Sequence, residues 1–279
     1  MRILLTGATG QVGWELRRTL APLGEVRALD RFGLDLADVP TLVASVRALQ
    51  PDVIVNSAAY TAVDKAESER DLAFAVNATA PRVLAEEARR IGAYLVHYST
   101  DYVFDGEKPA PYAEDDATGP INVYGESKLA GEAAIRASGC RHLILRTSWV
   151  YGPRGKNFYL TMLRLAKERP ELRVVDDQVG APTSSLAIAR ATPVLIGKSA
   201  QGLYHMTAAG ETSWCGFARA ILKGAGLATP VVAIATSDYP TPARRPRNSR
   251  LDCSRLRHEH GVALAPWEEQ LAEVTLAAR

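Results

Sequence analysis

The chain has 279 residues, 47% apolar and 23% charged, which is ample for a large buried core and unlike a disordered segment. Its 33 lysines and arginines against 31 aspartates and glutamates leave a net charge of +2, so bulk electrostatics gives nucleic acid no purchase and any anionic partner needs a local site. No apolar run approaches the roughly 20 residues a membrane-spanning helix requires, and three scattered cysteines, Cys140, Cys215 and Cys253, fit neither a disulfide framework nor a zinc site.

The chain enters a core strand from its first residues, which leaves no room for a signal peptide and predicts a cytoplasmic protein with reduced thiols. Apolar runs predict strands at Ile3–Thr6, Glu25–Leu29, Val53–Ser57, Tyr94–Ser99 and Leu143–Val150. Amphipathic stretches between them predict helices at Val12–Ala21, Pro40–Leu49, Asp71–Arg90 and Tyr124–Ser138. Runs such as Val53-Ile54-Val55 do not alternate, as expected of strands covered on both faces. This β-α-β order predicts an α/β fold with a doubly wound parallel sheet of Rossmann type. Beyond Gly152 the pattern loosens into helices at Asn157–Lys167, Ser185–Ile196 and Ser213–Leu222, with strands near Leu172–Asp176, Gly202–Met206 and Val231–Ile234. The long, acidic, proline-containing stretch from Asp105 to Ile121 suits a lid or wall beside a site. A second irregular stretch, Tyr239–Arg250, is rich in proline and arginine.

Between the first strand and the first helix stands Gly7-Ala8-Thr9-Gly10-Gln11-Val12-Gly13, spaced GxxGxxG. Glycines there permit a tight turn and close backbone approach, and the helix N-terminus favours a pyrophosphate. In that position the motif predicts dinucleotide binding, at Gly7, Gly10, Gln11 and Val12. Asp30 ends the second strand, where a carboxylate would bind an adenosine ribose and favour NADH. Arg31 follows, and its guanidinium suits the 2′-phosphate of NADPH, although a solvated surface charge is its plain alternative. The two signals oppose each other and predict dual use of NADH and NADPH. Asp35 and Leu36 are expected near the adenine, and small residues at Ala58 and Ala59 would let a dinucleotide lie along the strand ends or simply pack tightly. The chain thus divides into 1–151, mainly a dinucleotide-binding core, and 152–279, mainly a smaller, interleaved substrate-binding lobe with segments returning to the core.

Tyr124 and Lys128 lie four apart, on one face of a predicted helix. A free phenol ionises near pH 10, too high for ready proton exchange at neutral pH. A nearby ammonium and the helix N-terminus both favour the phenolate, and such a tyrosine can protonate a carbonyl oxygen. A lone YxxxK pair is weak, but Ser99-Thr100-Asp101 ends the preceding strand where sites of open α/β sheets form. Thr100 can bond the same carbonyl oxygen, and the set reads as a hydride-transfer centre.

Six segments in order now resemble the extended short-chain dehydrogenase/reductase family over essentially the whole chain: Leu5–Gly13, Asn56–Glu67, Ser99–Gly106, Tyr124–Lys128, Arg146–Gly152 and Asp177–Thr183. Among its members the reductases of nucleotide-linked keto-sugars are the most similar. The resemblance implies that Tyr124 supplies a proton, that Lys128 holds the nicotinamide ribose and lowers the tyrosine pKa, and that Thr100 tunes the acid. It places Gly10, Gln11, Val12, Asp30, Asp35, Leu36, Ala58, Ala59, Tyr60 and Tyr98 on the cofactor wall. Asp101 and Trp149 match positions that contact the sugar nucleotide, while burial habits alone would make Trp149 a core aromatic closing a strand.

Some members form a magnesium-bridged dimer through glutamates. Glu15 sits at one matching position, but Ser184-Ser185-Leu186 lacks a second carboxylate, which counts against a metal and leaves a homodimer without one as the expectation. Dehydratases of this type carry Asp-Glu after the threonine, whereas Tyr102 follows Thr100-Asp101 here; an epimerase is a further alternative. A family member also serves as a non-catalytic regulatory subunit of methionine adenosyltransferase, so turnover and mere binding must be told apart. His258-Glu259-His260 has no metal-ligand spacing. In the run Arg244-Arg245-Pro246-Arg247, a solvated loop or a contact to the substrate diphosphate is expected.

Overall fold

Short apolar runs become strands here because parallel strands sandwiched between helices lose water on both faces. The computed structural model describes residues 1–278. Its first half runs β1 (Arg2–Thr6), α1 (Gln11–Thr19), β2 (Glu25–Leu29), α2 (Val39–Leu49), β3 (Val53–Asn56), α3 (Val63–Ala66), α4 (Arg70–Phe74), α5 (Ala80–Ile91), β4 (Tyr94–Thr100), α6 (Val123–Ser138) and β5 (Arg141–Thr147). The second half runs β6 (Val150–Tyr151), α7 (Phe158–Glu168), β7 (Leu172–Val175), β8 (Val179–Gly180), β9 (Thr183–Ser184), α8 (Ser185–Gly197), β10 (Gly202–His205), β11 (Thr212–Ser213), α9 (Trp214–Gly224), β12 (Val231–Ile234), α10 (Ser254–His260) and α11 (Trp267–Ala277).

Six strands form one all-parallel sheet in the order β10-β5-β4-β3-β1-β2. The direction of winding reverses between β1 and β3, which opens a crevice at their C-terminal ends. Successive residues of the strands feed opposite cores. Ile3, Leu5 and Val55 pack with Leu16 of α1 and Ile188 and Leu195 of α8. Leu4 and Ile54 pack with Leu42 and Val46 of α2 and Leu84 and Ala88 of α5. A third core joins Tyr159, Phe217, Ile221, Leu271 and Val274 from α7, α9 and α11. The chain returns from its second half to the main sheet through α8, β10 and Leu256 of α10. Among the described residues no helix is long and apolar enough to cross a membrane.

Two expectations change and a third narrows. The helix expected over Asp71–Arg90 is interrupted by a π-helical turn, Ala75–Thr79, just before Pro81, whose ring and missing N–H forbid the ordinary ladder. The strand expected over Leu143–Val150 stops at Thr147, because Trp149 takes a left-handed conformation at φ 48° and sends β6 to pair with β9. The stretch from Asp105 to Ile121 is a moored wall and not a free lid. Its Tyr112 stacks on Phe104 at 4.2 Å between ring centres, donates its hydroxyl to Asp105, and exchanges backbone bonds with Arg250 and Asp252.

Candidate active site

β1 delivers Thr6 directly into Gly7, whose φ of +70° is left-handed. A Cβ at Gly7 would stand 2.7 Å from the Cα of Ala58, and one at Gly13 only 2.0 Å from the Gly7 carbonyl oxygen. Neither position tolerates a side chain. α1 begins after Gly10 with no side-chain cap, so its first backbone N–H groups stay free for an anion.

These groups open onto a cleft of about 550 Å³ across the strand ends. Gly7, Gly10, Gln11 and Val12 line one wall, Arg31, Asp35 and Leu36 the β2 side, and Ala58, Ala59 and Tyr60 the end of β3. Tyr98, Tyr124 and Lys128 line the β4 side. Asp30 alone of the expected cofactor residues stands behind the lining. Its Oδ1 accepts from the N–H groups of Phe32 and Gly33 in an Asx turn. Arg31 remains in the wall, 3.5 Å from Asp35. Lys156, which the sequence did not single out, adds a third cation beside Arg31 and Lys128. Its loop is moored to α1 by Asn157 donating to Gln11 and by Arg154 lying over the Trp14 ring. Glycine cradle, free helix N-terminus and flanking cations together fit a dinucleotide.

At the β4 end, Asn122 caps α6 by accepting from the Gly125 N–H at 2.8 Å. That cap starts the helix so that Tyr124 falls in its first turn and Lys128 one turn on. A Cβ at Gly125 would meet the Tyr102 carbonyl at 2.2 Å, so this glycine lets α6 lie against the turn after β4. The Lys128 side chain is buried, and its Nζ donates to the Tyr98 carbonyl at 2.7 Å and stands 3.1 Å from His97 Nε2. Burial lowers the lysine to about 8, with Glu132 pulling the other way. Loss of water raises the Tyr124 phenol to about 12, opposed by the Thr100 hydroxyl and reinforced by Asp101. In this geometry burial dominates the phenol and the Thr100 hydroxyl is the group that opposes it, while the Lys128 Nζ is bonded to β4.

In this structure the one hydroxyl proton of Thr100 goes to Asp101 Oδ1 at 3.0 Å, so Thr100 must turn it to reach a phenolate. Burial lifts this carboxyl to about 6, with the hydroxyls of Ser249 and Thr100 opposing. Asp101 and Trp149 lie outside the dinucleotide cleft. Trp149 stacks on Trp214, ring centres 3.6 Å apart, and Trp214 rests on Phe158. A Cβ at Gly180 would stand 2.6 Å from the Trp149 ring, so β8 closes directly on it. Arg247, exposed, belongs to the segment that bonds β8 through its carbonyl, whereas Arg245 is engaged with Asp64. Elsewhere Glu15 lies 3.5 Å from Arg18, and Glu259 is taken by Tyr204 and Arg255.

This geometry has close counterparts. Residues 1–279 match the family model described as RmlD substrate binding domain. A Burkholderia thailandensis protein named dTDP-4-dehydrorhamnose reductase is 51% identical over 284 residues, covering 96% of this chain and 95% of that protein. The chain belongs to this family. The crystal structure of a dTDP-4-dehydrorhamnose reductase from Clostridium acetobutylicum superposes with a TM-score of 0.97 at 40% identity, over 99% of both chains. That of a dTDP-4-dehydrorhamnose reductase from Bacillus anthracis, in complex with NADP, gives 0.96 at 39% identity, again over 99% of both.

Within the family fold, two residues missed in the sequence organise the site. Asn77, in the π-helical turn, holds both the N–H and the carbonyl of Tyr60 and donates to Ser127 on α6. Pro81 was the available signal for that turn. His97 gave only the sign of a polar residue inside an apolar strand.

Proposed function

We propose that this chain is a cytoplasmic NAD(P)H-dependent enzyme that reduces the 4-keto group of dTDP-4-dehydro-L-rhamnose to give dTDP-L-rhamnose. The observation that carries the reading is the convergence of Tyr124, Thr100 and Lys128 at one end of a dinucleotide cleft, in a chain 51% identical to a reductase of that name. When bound, the reduced nicotinamide supplies the hydride. Tyr124 is a neutral phenol at working pH, as a proton donor must be, and gives its hydroxyl proton to the carbonyl oxygen. Thr100 stabilises the phenolate left behind by turning its hydroxyl proton from Asp101 to it. Lys128, with two of its three donors used inside the protein, keeps the third for the cleft. The Asp101 carboxylate accepts a sugar hydroxyl, the Trp149 ring offers the sugar nucleotide an apolar face, and Arg247 pairs with its diphosphate. With Asp30 engaged in its own turn and Arg31 in the wall, both cofactors are accepted and the 2′-phosphate of NADPH finds a partner.

The test follows NADPH absorbance with purified protein and dTDP-4-dehydro-L-rhamnose. Tyr124→Phe is expected to lower kcat by about 100-fold or more while leaving NADPH affinity unchanged. Turnover that survives in this variant overturns the proton-donor role. NADPH binding without any wild-type turnover overturns the reductase and favours a purely binding role.

A further inference from the structure

Beneath the cleft a row of polar side chains crosses three neighbouring strands at one level. Thr6 of β1 pairs in register with Asn56 of β3, and Asn56 with His97 of β4. All three are essentially without solvent exposure, and the residues two positions back on the same face, Leu4, Ile54 and Leu95, are fully buried and apolar. Thr6 Oγ1 lies 2.7 Å from Asn56 Oδ1, Asn56 Nδ2 lies 3.1 Å from His97 Nδ1, and His97 Nε2 lies 3.1 Å from Lys128 Nζ. Apolar residues would fill this space without any partners, so a polar row that is satisfied only as a row needs a reason.

We propose that His97 is a positioning residue for Lys128, and that the row Thr6–Asn56–His97 ties the place of the lysine Nζ to the glycine-rich turn that Thr6 opens. The inference rests on the reductase reading of the same cleft. A lysine side chain has four flexible carbons and no geometry of its own. Here its Nζ finds two protein acceptors, the Tyr98 carbonyl and His97 Nε2. Removing the second would leave a buried ammonium on a single carbonyl, free to swing from the cleft.

The row has two self-consistent polarities. If Thr6 donates to Asn56 Oδ1 and Asn56 donates to His97 Nδ1, the ring proton sits on Nε2 and faces an uncharged amine. If the Asn56 amide is turned, its oxygen accepts from Nδ1–H, and the bare Nε2 accepts from an ammonium. The imidazole is neutral in both, as burial and the lysine charge require. The charge on Lys128 therefore selects the polarity. The other ionisable groups around Lys128 are Tyr98, whose hydroxyl bonds Thr192, and Asp101 from the β4 side, Tyr124 and Glu132 on α6, and Arg146 of β5, which is paired with Glu132. Because the imidazole accepts from the charged form, its loss makes Lys128 give up its proton at lower pH.

The experiment compares His97→Asn, whose amide reaches only the Nδ1 position, with His97→Gln, whose amide oxygen reaches the Nε2 position. In the ligand-free protein, the Lys128 titration followed by ¹³C NMR of the lysine side chains is expected to fall by about one pH unit in His97→Asn. NADPH affinity is expected to weaken about tenfold, and the basic limb of the kcat/KM profile to move down in parallel. His97→Gln is expected to restore all three. In wild-type protein, ¹⁵N shifts of His97 should show a neutral ring whose proton passes from Nδ1 to Nε2 as Lys128 titrates, a reading that needs no variant to fold. Unchanged titration and affinity in His97→Asn, a His97→Gln protein as impaired as His97→Asn, or a ring tautomer indifferent to Lys128 would each sink the inference. A wild-type protein that binds NADPH and turns over no keto-sugar would instead sink the reductase reading and leave these binding and titration results to decide the role of His97.

Discussion

Replacing Asp101 by asparagine removes a carboxylate that the ligand-free fold holds under strain of charge. The side chain is 2% exposed, Oδ1 accepts from Thr100, and the Ser249 hydroxyl also favours the charged form, but burial outweighs both. Burial lifts its pKa from 3.8 to about 6. A folded-state value above the unfolded one means that stability is fully present below the unfolded pKa and is lost as pH rises through about 6. Above that window the buried charge costs about 3 kcal/mol, taken at face value. An asparagine avoids this cost but adds two N–H donors that need partners, which returns about 1 kcal/mol. The expected net gain is about 2 kcal/mol at about pH 8, and roughly half that or less at about pH 5. Denaturant unfolding of both proteins at the two pH values measures it directly. In kinetics the same variant should raise KM for the sugar nucleotide, since an acceptor has become a donor. A stability gain of equal size at both pH values, or no gain at the higher one, would refute the argument that the buried Asp101 charge is the cause.

Arg247→Ala is expected to raise KM for the sugar nucleotide about tenfold and to leave KM for NADPH unchanged; steady-state kinetics that do not change would remove the diphosphate contact. Glu132→Gln strands the Arg146 guanidinium, since the two side chains are 2% and 3% exposed and joined at 2.7 Å. It should cost about 3 kcal/mol in denaturant unfolding, and a loss below about 1 kcal/mol would show that the pair is not the buried charge pair it looks.

The fold was largely legible because it rests on periodicity and on backbone chemistry that only certain residues permit. Non-alternating runs such as Val53-Ile54-Val55 gave the parallel strands, and the position of Gly7 and Gly13 gave the cradle, where a Cβ would overlap backbone. The breaks were less legible. Pro81 could have announced the interruption of the helix over Asp71–Arg90, but nothing local announces the left-handed Trp149. Its conformation is held by contacts from distant segments, Trp214 against its ring and Gly180 behind it. Asp30 shows how a local turn shares a residue's chemistry. The residue type suited a ribose contact, and the structure adds that one of its oxygens also accepts from the N–H groups of Phe32 and Gly33 in its own turn.

The acid–base character of the site could not have come from spacing at all. Four residues on a helix place Tyr124 and Lys128 on one face, and from this the lysine was expected to lower the tyrosine. Spacing fixes where side chains begin, not where their charged ends go. Lys128 is long enough to run beneath the cleft to β4, where the Tyr98 carbonyl and His97 hold it, and both ionisations are then governed chiefly by burial, the tyrosine going up and the lysine down. On the proposed reading, the consequence is a phenol that is neutral where it would give a proton and a lysine that is still mainly an ammonium near pH 7 but closer than usual to losing its charge. A ligand that shuts water out further would press Lys128 toward losing its charge, and a ligand with oxygen acceptors would oppose that, so the lysine stays an ammonium only if its protein acceptors stay in place. His97, invisible to any spacing rule because it acts across the sheet rather than along a helix, is one of the two acceptors that do so.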